Sequence, residues 1–187
     1  MENKKLKNEI KNFDITTVDT ETFGESLLGI VPKIKKICKH LDEQVYKTAL
    51  ISYMPFVTVT EQFDEIMDKI FIKSELMTLY KVTAKWYSGL TDKQKKFYRY
   101  YFVKRDERTS RKILKNSQFR VRYLSPMIRS YMDRVRKEFR FNELNLLRNP
   151  YIYKSYIKVS NMTDINGGKG GRKHDNTANE RRNCQCV

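Results

Sequence analysis

The sequence predicts an all-α protein with a helical N-terminal region, a long central helix, a helix-turn-helix domain and a disordered C-terminal tail. Apolar residues recur at three- and four-residue steps between residues 26 and 140, which is the spacing of one helix face. Positive charge is concentrated after residue 90, and residues 161–187 contain almost nothing apolar. The first feature predicts the fold class, and the other two divide the chain.

The charge is distributed very unevenly. Residues 91–140 contain 17 Lys and Arg against 5 Asp and Glu, a net charge of +12, whereas residues 1–90 contain 13 of each kind. No arginine occurs before residue 91, and ten occur between residues 91 and 140. A basic segment of this kind predicts a polyanionic partner.

The N-terminal region is predicted in two parts. Residues 1–25 are polar and lack sustained periodicity, so we expect a flexible lead-in. Residues 26–89 are expected to be helical. They begin with a helix that has Pro32 in its first turn, followed by a second helix, Asp42–Tyr53, that ends at Pro55. These two helices are expected to form a hairpin.

The longest periodic pattern runs from Thr60 to Ser88 and predicts one helix, with Gly89 ending it. Two interpretations of its apolar seam remain open. The seam can form a coiled coil with a second copy of the chain, which makes a homodimer a candidate assembly. Alternatively, the helix packs on the preceding hairpin and the seam is ordinary core. The seam residues are Phe63, Ile66, Ile70, Met77, Tyr80, Ala84 and Tyr87.

Residues 90–148 are predicted to form the helix-turn-helix domain. Thr91 is an N-cap candidate with Gln94 at the capping-box position, and a short helical run passes through Ile113 and Leu114. The last helical run of the domain has an apolar stripe that is expected to face inwards, and most of its arginines lie outside that stripe. The stripe consists of Leu124, Ile128, Met132, Val135 and Phe139.

This layout resembles the promoter-reading C-terminal domain of bacterial sigma factors, region four, and the small sigma-like and ArpU-type phage regulators of Gram-positive bacteria. The matching positions are Leu90, Lys93, Gln94, Lys95, Arg99, Tyr100, Tyr101 and Phe102. The resemblance implies a helix-turn-helix that binds double-stranded DNA, with RNA polymerase as a further candidate partner. It covers about fifty residues of the chain.

The sequence departs from that family at the start of the reading helix. Arg120 stands where a small N-cap residue is usual, and a helix starting there would contain Pro126, at a cost of about 3 kcal/mol. A second register makes Ser125 the N-cap and Pro126 the first helical residue. We therefore expect a break or kink just before Pro126.

The predicted DNA-binding residues fall into two groups. Lysines and arginines of the first two helices are expected to contact phosphates, whereas residues near the start of the last helix are expected to reach base edges. The phosphate group is Lys93, Lys95, Lys96, Arg111 and Lys112, and the second group is Arg120, Arg122, Tyr123 and Arg129, with Ser125 at the helix start.

Beyond the basic domain, Asn149 and Pro150 are expected to stop the last helix. Residues 149–160 alternate apolar and polar side chains, so we expect a short extended segment. Residues 161–187 are expected to be a disordered tail, because their composition is Asn, Gly, Lys and Arg with little to bury.

The sequence predicts neither an enzyme nor a cofactor or metal site, because the chain has only two His and no recognisable catalytic arrangement. No run of eighteen apolar residues occurs, the N terminus is too charged for a signal peptide, and three Cys favour a reducing cytoplasm. The favoured hypothesis is a sequence-specific DNA-binding transcription regulator of the kind that phages or mobile elements encode. The alternative is a basic adaptor that binds RNA or an acidic protein.

Overall fold

The computed structural model describes residues 2–51, 59–104, 117–140 and 143–167. Every regular element in these ranges is helical, so the predicted all-α class is confirmed. The helices are α1 (Glu2–Lys11), α2 (Thr20–Ile30), α3 (Ile34–Ile51), α4 (Val59–Ser88), α5 (Asp92–Tyr98), α6 (Ser125–Glu138) and α7 (Pro150–Gly167). The 3-10 turns are Ile15–Thr17, Val31–Lys33 and Glu143–Arg148. A π turn, Arg99–Val103, continues α5, and a short helical segment, Ser117–Phe119, leads through a second π turn, Arg120–Leu124, into α6.

Helix α2 lies at the centre of the core, so the expected flexible lead-in over residues 1–25 is wrong. Asp19 caps the helix by accepting hydrogen bonds from the backbone N–H of Thr22 at 2.8 Å and from its hydroxyl at 2.6 Å. Phe23 is fully buried, and the polar residues Glu25 and Ser26 are buried as well. Sequence periodicity missed the first part of this helix because its buried residues include polar side chains. Thr22 and Ser26 bond to residues three positions before them, whereas the partners of Glu25 lie on distant elements.

Helix α3 continues from Ile34 to Ile51, so the predicted break into a hairpin at Asp42 is wrong. Leu41 is buried against the core and Asp42 follows it on the exposed side of the same helix. No Gly or Pro interrupts this stretch, and nothing therefore ends the hydrogen-bonded ladder.

The long helix expected over residues 60–88 is confirmed as α4. Its buried stripe differs from the predicted seam: Leu76, Leu79, Val82 and Trp86 are buried, whereas Ala84 is exposed. At the N-terminal end of the seam, Phe63, Ile66 and Ile70 form no part of the buried core, and Phe63 and Ile70 are exposed. The second half of α4 therefore packs inside the chain, on a stripe offset from the heptad pattern. In the part of the chain that is described, no helix has both the length and the apolar character needed to cross a bilayer.

Helices α5 and α6 share one hydrophobic core with α2 and α4. The predicted domain boundary between residues 89 and 90 therefore lies between helices that pack against the same core. Tyr98 of α5 contacts the Trp86 ring edge-on, with 6.0 Å between the centroids. Helices α2 and α6 approach each other closely at Gly24. A Cβ atom placed on Gly24 would lie 2.5 Å from the Cγ2 atom of Ile128, so only glycine lets these backbones come this close.

Residues 150–167 form helix α7, so the expected extended segment over residues 149–160 is wrong. Asn149 accepts a hydrogen bond from the backbone N–H of Tyr151 at 3.2 Å, and Pro150 is the first helical residue. Asn-Pro thus starts a helix here, which suits an N-cap followed by proline. Tyr156 and Ile152 pack into the core one turn apart, and the Ser155 hydroxyl donates to the carbonyl of Ser26 at 2.9 Å.

The predicted tail is corrected in part. Residues 161–167 belong to α7, because the helix continues beyond the apolar segment that anchors it. The rest of the predicted tail, residues 168–187, lies outside the described residues.

Candidate nucleic-acid interface

Helix α5 begins with the capping box that the sequence predicts. The Thr91 hydroxyl accepts a hydrogen bond from the backbone N–H of Gln94 at 3.4 Å. In return, the side-chain Oε1 atom of Gln94 accepts a hydrogen bond from the backbone N–H of Thr91 at 3.0 Å. Two N–H groups that a helix start leaves without partners are thereby satisfied. The cap therefore fixes the residue at which α5 begins.

The buried face of α5 and its π turn carries Tyr98 and Phe102, which are 6% and 4% exposed. Burial raises the pKa of Tyr98 to about 12, so its hydroxyl stays protonated at neutral pH. Because these aromatic rings anchor one side of the helix, the lysines and arginines at the intervening positions are left on the solvent side.

Those outward residues enclose a cleft of about 420 Å³, here called the basic cleft, which is lined by Asp92, Lys95, Lys96, Arg99, Tyr100 and Lys104. The Nζ atom of Lys104 lies 5.1 Å from the centroid of the Tyr100 ring, a cation–π distance. The Nε atom of Arg99 donates to the Tyr87 hydroxyl at 3.1 Å. Both contacts hold cations at the rim of the cleft without neutralising them.

Some lysines earlier in the chain pair with carboxylates. Lys7 pairs with Asp68 at 2.8 Å, and Lys69 pairs with Glu65 at 2.7 Å. By contrast, Lys95 and Lys96 form no ion pair with any described residue. The positive charge of the basic cleft therefore remains available to a ligand from solution.

Arg120 and Ser125, predicted to contact DNA, have intramolecular partners instead. The Arg120 guanidinium donates to Glu21 at 3.1 Å and to Glu25 at 3.0 Å. The Ser125 hydroxyl donates to Glu21 at 2.8 Å, and the residue is only 4% exposed. To meet phosphates or bases, both donors would have to leave these partners, of which Glu25 is buried and Glu21 is one-third exposed.

Glu25, the most buried carboxylate of this network, also accepts a hydrogen bond from the Tyr101 hydroxyl. Burial raises the pKa of Glu25, and the hydrogen bond from Tyr101 and the charge of Arg120 offset only part of that effect. Burial likewise raises the pKa of Tyr101, so its hydroxyl remains a donor. This network joins α2 to Tyr101 in the first π turn and to Arg120 in the second, and it has a structural role.

Of the two predicted registers, the structure is nearer to the first: Pro126 lies inside a continuous helical run with Leu124 and Ile128 buried, although the described run already begins at Ser117. Leu124 and Ser125 have helical backbone angles, so Ser125 is not an N-cap and no break precedes Pro126. Instead, the backbone N–H of Ser125 bonds to the carbonyl of Arg120 in a π turn. The wider turn changes the hydrogen-bonding pattern just before Pro126, which has no N–H to donate. The helix thus continues through the proline with an irregularity at the predicted place.

Three of the predicted base-contacting residues are exposed: Arg122, Tyr123 and Arg129. The guanidinium carbon of Arg122 lies 5.7 Å from the centroid of the Tyr123 ring. The Tyr123 ring lies 4.6 Å from that of Phe119, which lies 5.9 Å from that of Phe97 on α5. This chain of aromatic contacts brings the leading end of α6 beside α5.

Of the other predicted residues, three lie in the described part of the chain and two lie outside it. Lys93, Lys95 and Lys96 lie on α5, the last two in the basic cleft, whereas Arg111 and Lys112 lie outside the described residues. Sequence reasoning missed Arg99 and Lys104 as members of the cleft. Arg99 follows Lys95 and Lys96 by four and three residues, and Lys104 follows Arg99 by five. This spacing along one helical face was the signal that could have found both residues.

The described residues contain no group of three or more His, Cys, Asp or Glu side chains placed to hold a metal ion. Comparison of the chain with protein-family models, with curated proteins and with solved structures finds no match.

Proposed function

We propose that this protein is a sequence-specific DNA-binding transcription regulator of the sigma-like helix-turn-helix type. The observation that carries the proposal is the basic cleft, where Lys95, Lys96, Arg99 and Lys104 line one exposed concavity against the single carboxylate of Asp92. Cations gathered on one surface without an ion pair to a described carboxylate favour a polyanionic ligand. Duplex DNA is such a ligand, and its phosphates repeat along the helix at short intervals.

The basic residues of α5 and those around the start of α6 are assigned two different roles. Lys93, Lys95 and Lys96 on α5 contact phosphates and set the position of the protein on the duplex. Arg122, in the π turn before α6, and Arg129, on the exposed side of α6, contact base edges, because arginine can donate two hydrogen bonds to one guanine. The resemblance to sigma region four supports the same division, and RNA polymerase remains a candidate partner by that resemblance alone.

The phosphate role is tested by removing two positive charges from the basic cleft. Lys95→Gln/Lys96→Gln should weaken binding to selected and scrambled duplexes alike and lower the slope of log K against log[salt] by about 1.8. Titrations by fluorescence anisotropy at several salt concentrations measure this change. Lys36→Gln/Lys39→Gln on α3 is the matched control, because both lysines are exposed and their replacement removes the same charge outside the cleft.

The base-contacting role needs a duplex selected from random sequence by the purified protein. Arg122→Ala or Arg129→Ala should lose about 1–3 kcal/mol on the selected duplex and little on its scrambled counterpart. Equal losses on both duplexes would leave an electrostatic surface without sequence preference. If no duplex is enriched, and a structured RNA or an acidic protein binds more tightly than DNA, the basic adaptor replaces the regulator as the proposed function.

A further inference from the structure

A second concavity lies on another face of the molecule, between α2, the start of α3, the π turn after α5, and α7. Its volume is about 530 Å³, within the range of roughly 300–1,000 Å³ that small-molecule sites occupy. Most of its wall is apolar. The apolar side chains are Ile30, Ile37, Phe102, Tyr151, Val159 and Met162.

Gly29 forms part of this wall and leaves it open. A Cβ atom built on Gly29 would meet no heavy atom within 4 Å, although the residue lies inside α2. A glycine in a helix lowers stability relative to alanine. The helix thus carries a destabilising residue at the point where a side chain would project into the cavity.

The charged residues of the wall are mostly positive. Lys154 and Lys158 lie one turn apart on α7, are exposed, and form no ion pair with a described residue. Lys33 also lines the cavity and has an interaction of its own within the chain. Arg120 and Glu25 line it as well, but Arg120 pairs with Glu25 at 3.0 Å and with Glu21 at 3.1 Å, so these charges have partners within the chain. The uncompensated charge therefore lies at the lysines on α7, while the wall beyond them is apolar.

We propose that this cavity binds a small amphipathic organic anion. The apolar body of the ligand lies against Phe102, Tyr151 and Val159, and its acidic group lies between Lys154 and Lys158. An apolar wall with a few placed charges is the usual composition of a small-molecule site. The ligand class follows from the sign of the free charges, since a cation or a neutral molecule would leave the two lysines without a counter-charge.

Two probes of nearly equal shape and different charge test this proposal. The anion 1-anilinonaphthalene-8-sulfonate should bind at one site, whereas the uncharged N-phenyl-1-naphthylamine should bind more weakly, as judged by fluorescence titration and calorimetric stoichiometry. Lys154→Gln/Lys158→Gln should weaken binding of the sulfonate about tenfold and leave the neutral probe within about twofold, because only the sulfonate loses its two exposed charge pairs. Lys81→Gln/Lys85→Gln, also one turn apart but on α4, should change neither probe.

Gly29 provides the second arm of the test. Gly29→Phe should fill the cavity and weaken both probes at least tenfold, whereas Gly29→Ala, which leaves most of the volume empty, should bind them as the wild type does. The basic-cleft variant Lys95→Gln/Lys96→Gln should also bind the sulfonate as the wild type does. The proposal is overturned if the wild type has no saturable single site, or if the sulfonate binds Gly29→Phe normally. It is also overturned if loss of Lys154 and Lys158 affects both probes equally.

Discussion

Gly24→Ala should destabilise the protein and Gly29→Ala should stabilise it, although both changes add one methyl group to the same helix. At Gly29 the new Cβ enters open space, so only the helix preference of alanine acts, a gain of roughly 0.5–1 kcal/mol. At Gly24 the same gain is opposed by contacts of 2.5 Å with the Cγ2 atom of Ile128 and 2.9 Å with the Cγ atom of Met132.

The contacts at Gly24 are difficult to relieve. Ile128 is 1% exposed and β-branched, so its Cγ2 atom moves only with the whole side chain or the backbone of α6. Overpacking of this kind costs about 1–3 kcal/mol, and a contact this short places Gly24→Ala near the upper end. After subtracting the helix gain, we expect a net loss of about 2 kcal/mol.

Urea unfolding followed by far-UV circular dichroism measures both free energies, with the two variants as controls for each other. In thermal unfolding the midpoint should fall by about 4–8 °C for Gly24→Ala, since 1 kcal/mol corresponds to about 2–4 °C at this chain length. For Gly29→Ala it should rise by about 1–4 °C. If Gly24→Ala is as stable as Gly29→Ala, then α2 and α6 do not approach each other as described.

Arg120→Met should lower the free energy of unfolding by about 3 kcal/mol, because it leaves Glu25 buried without its counter-charge. Arg122→Met, on the exposed neighbour, should change it by less than about 0.5 kcal/mol, and similar losses for both would argue against the buried pair. Burial holds the pKa of Glu25 above its unfolded value, so this group favours the folded state most at low pH and loses that contribution as pH rises through the folded pKa. Urea unfolding at pH 7 and pH 5 should therefore show the wild type gaining stability relative to Glu25→Gln as the pH falls, whereas a constant difference would contradict the shift. Thr91→Ala should cost about 1 kcal/mol through loss of the N-cap, and Thr91→Ser should recover most of it in the same assay.

Features set by short-range interactions could be predicted from the sequence. The all-α class and the long helix α4 follow from apolar periodicity and good helix formers, and the cap at Thr91 follows from a hydrogen bond between residues three positions apart. The exposed lysines of α5 could also be predicted, because charged side chains on a short capped helix rarely become buried.

The burial of polar residues was decided only by the tertiary structure. Glu25 lies inside because Arg120, 95 residues away, and Tyr101, 76 residues away, supply its partners, and no local pattern in α2 indicates them. The same contacts give Arg120, which was predicted to reach base edges, partners inside the chain. Asn149 starts α7 rather than ending a helix because the helix that follows it can pack against α2, and its side-chain amide donates to Glu75 on α4 at 3.1 Å. A side chain's role is fixed by the partner it meets, and partners that lie far apart in sequence meet only in the folded chain.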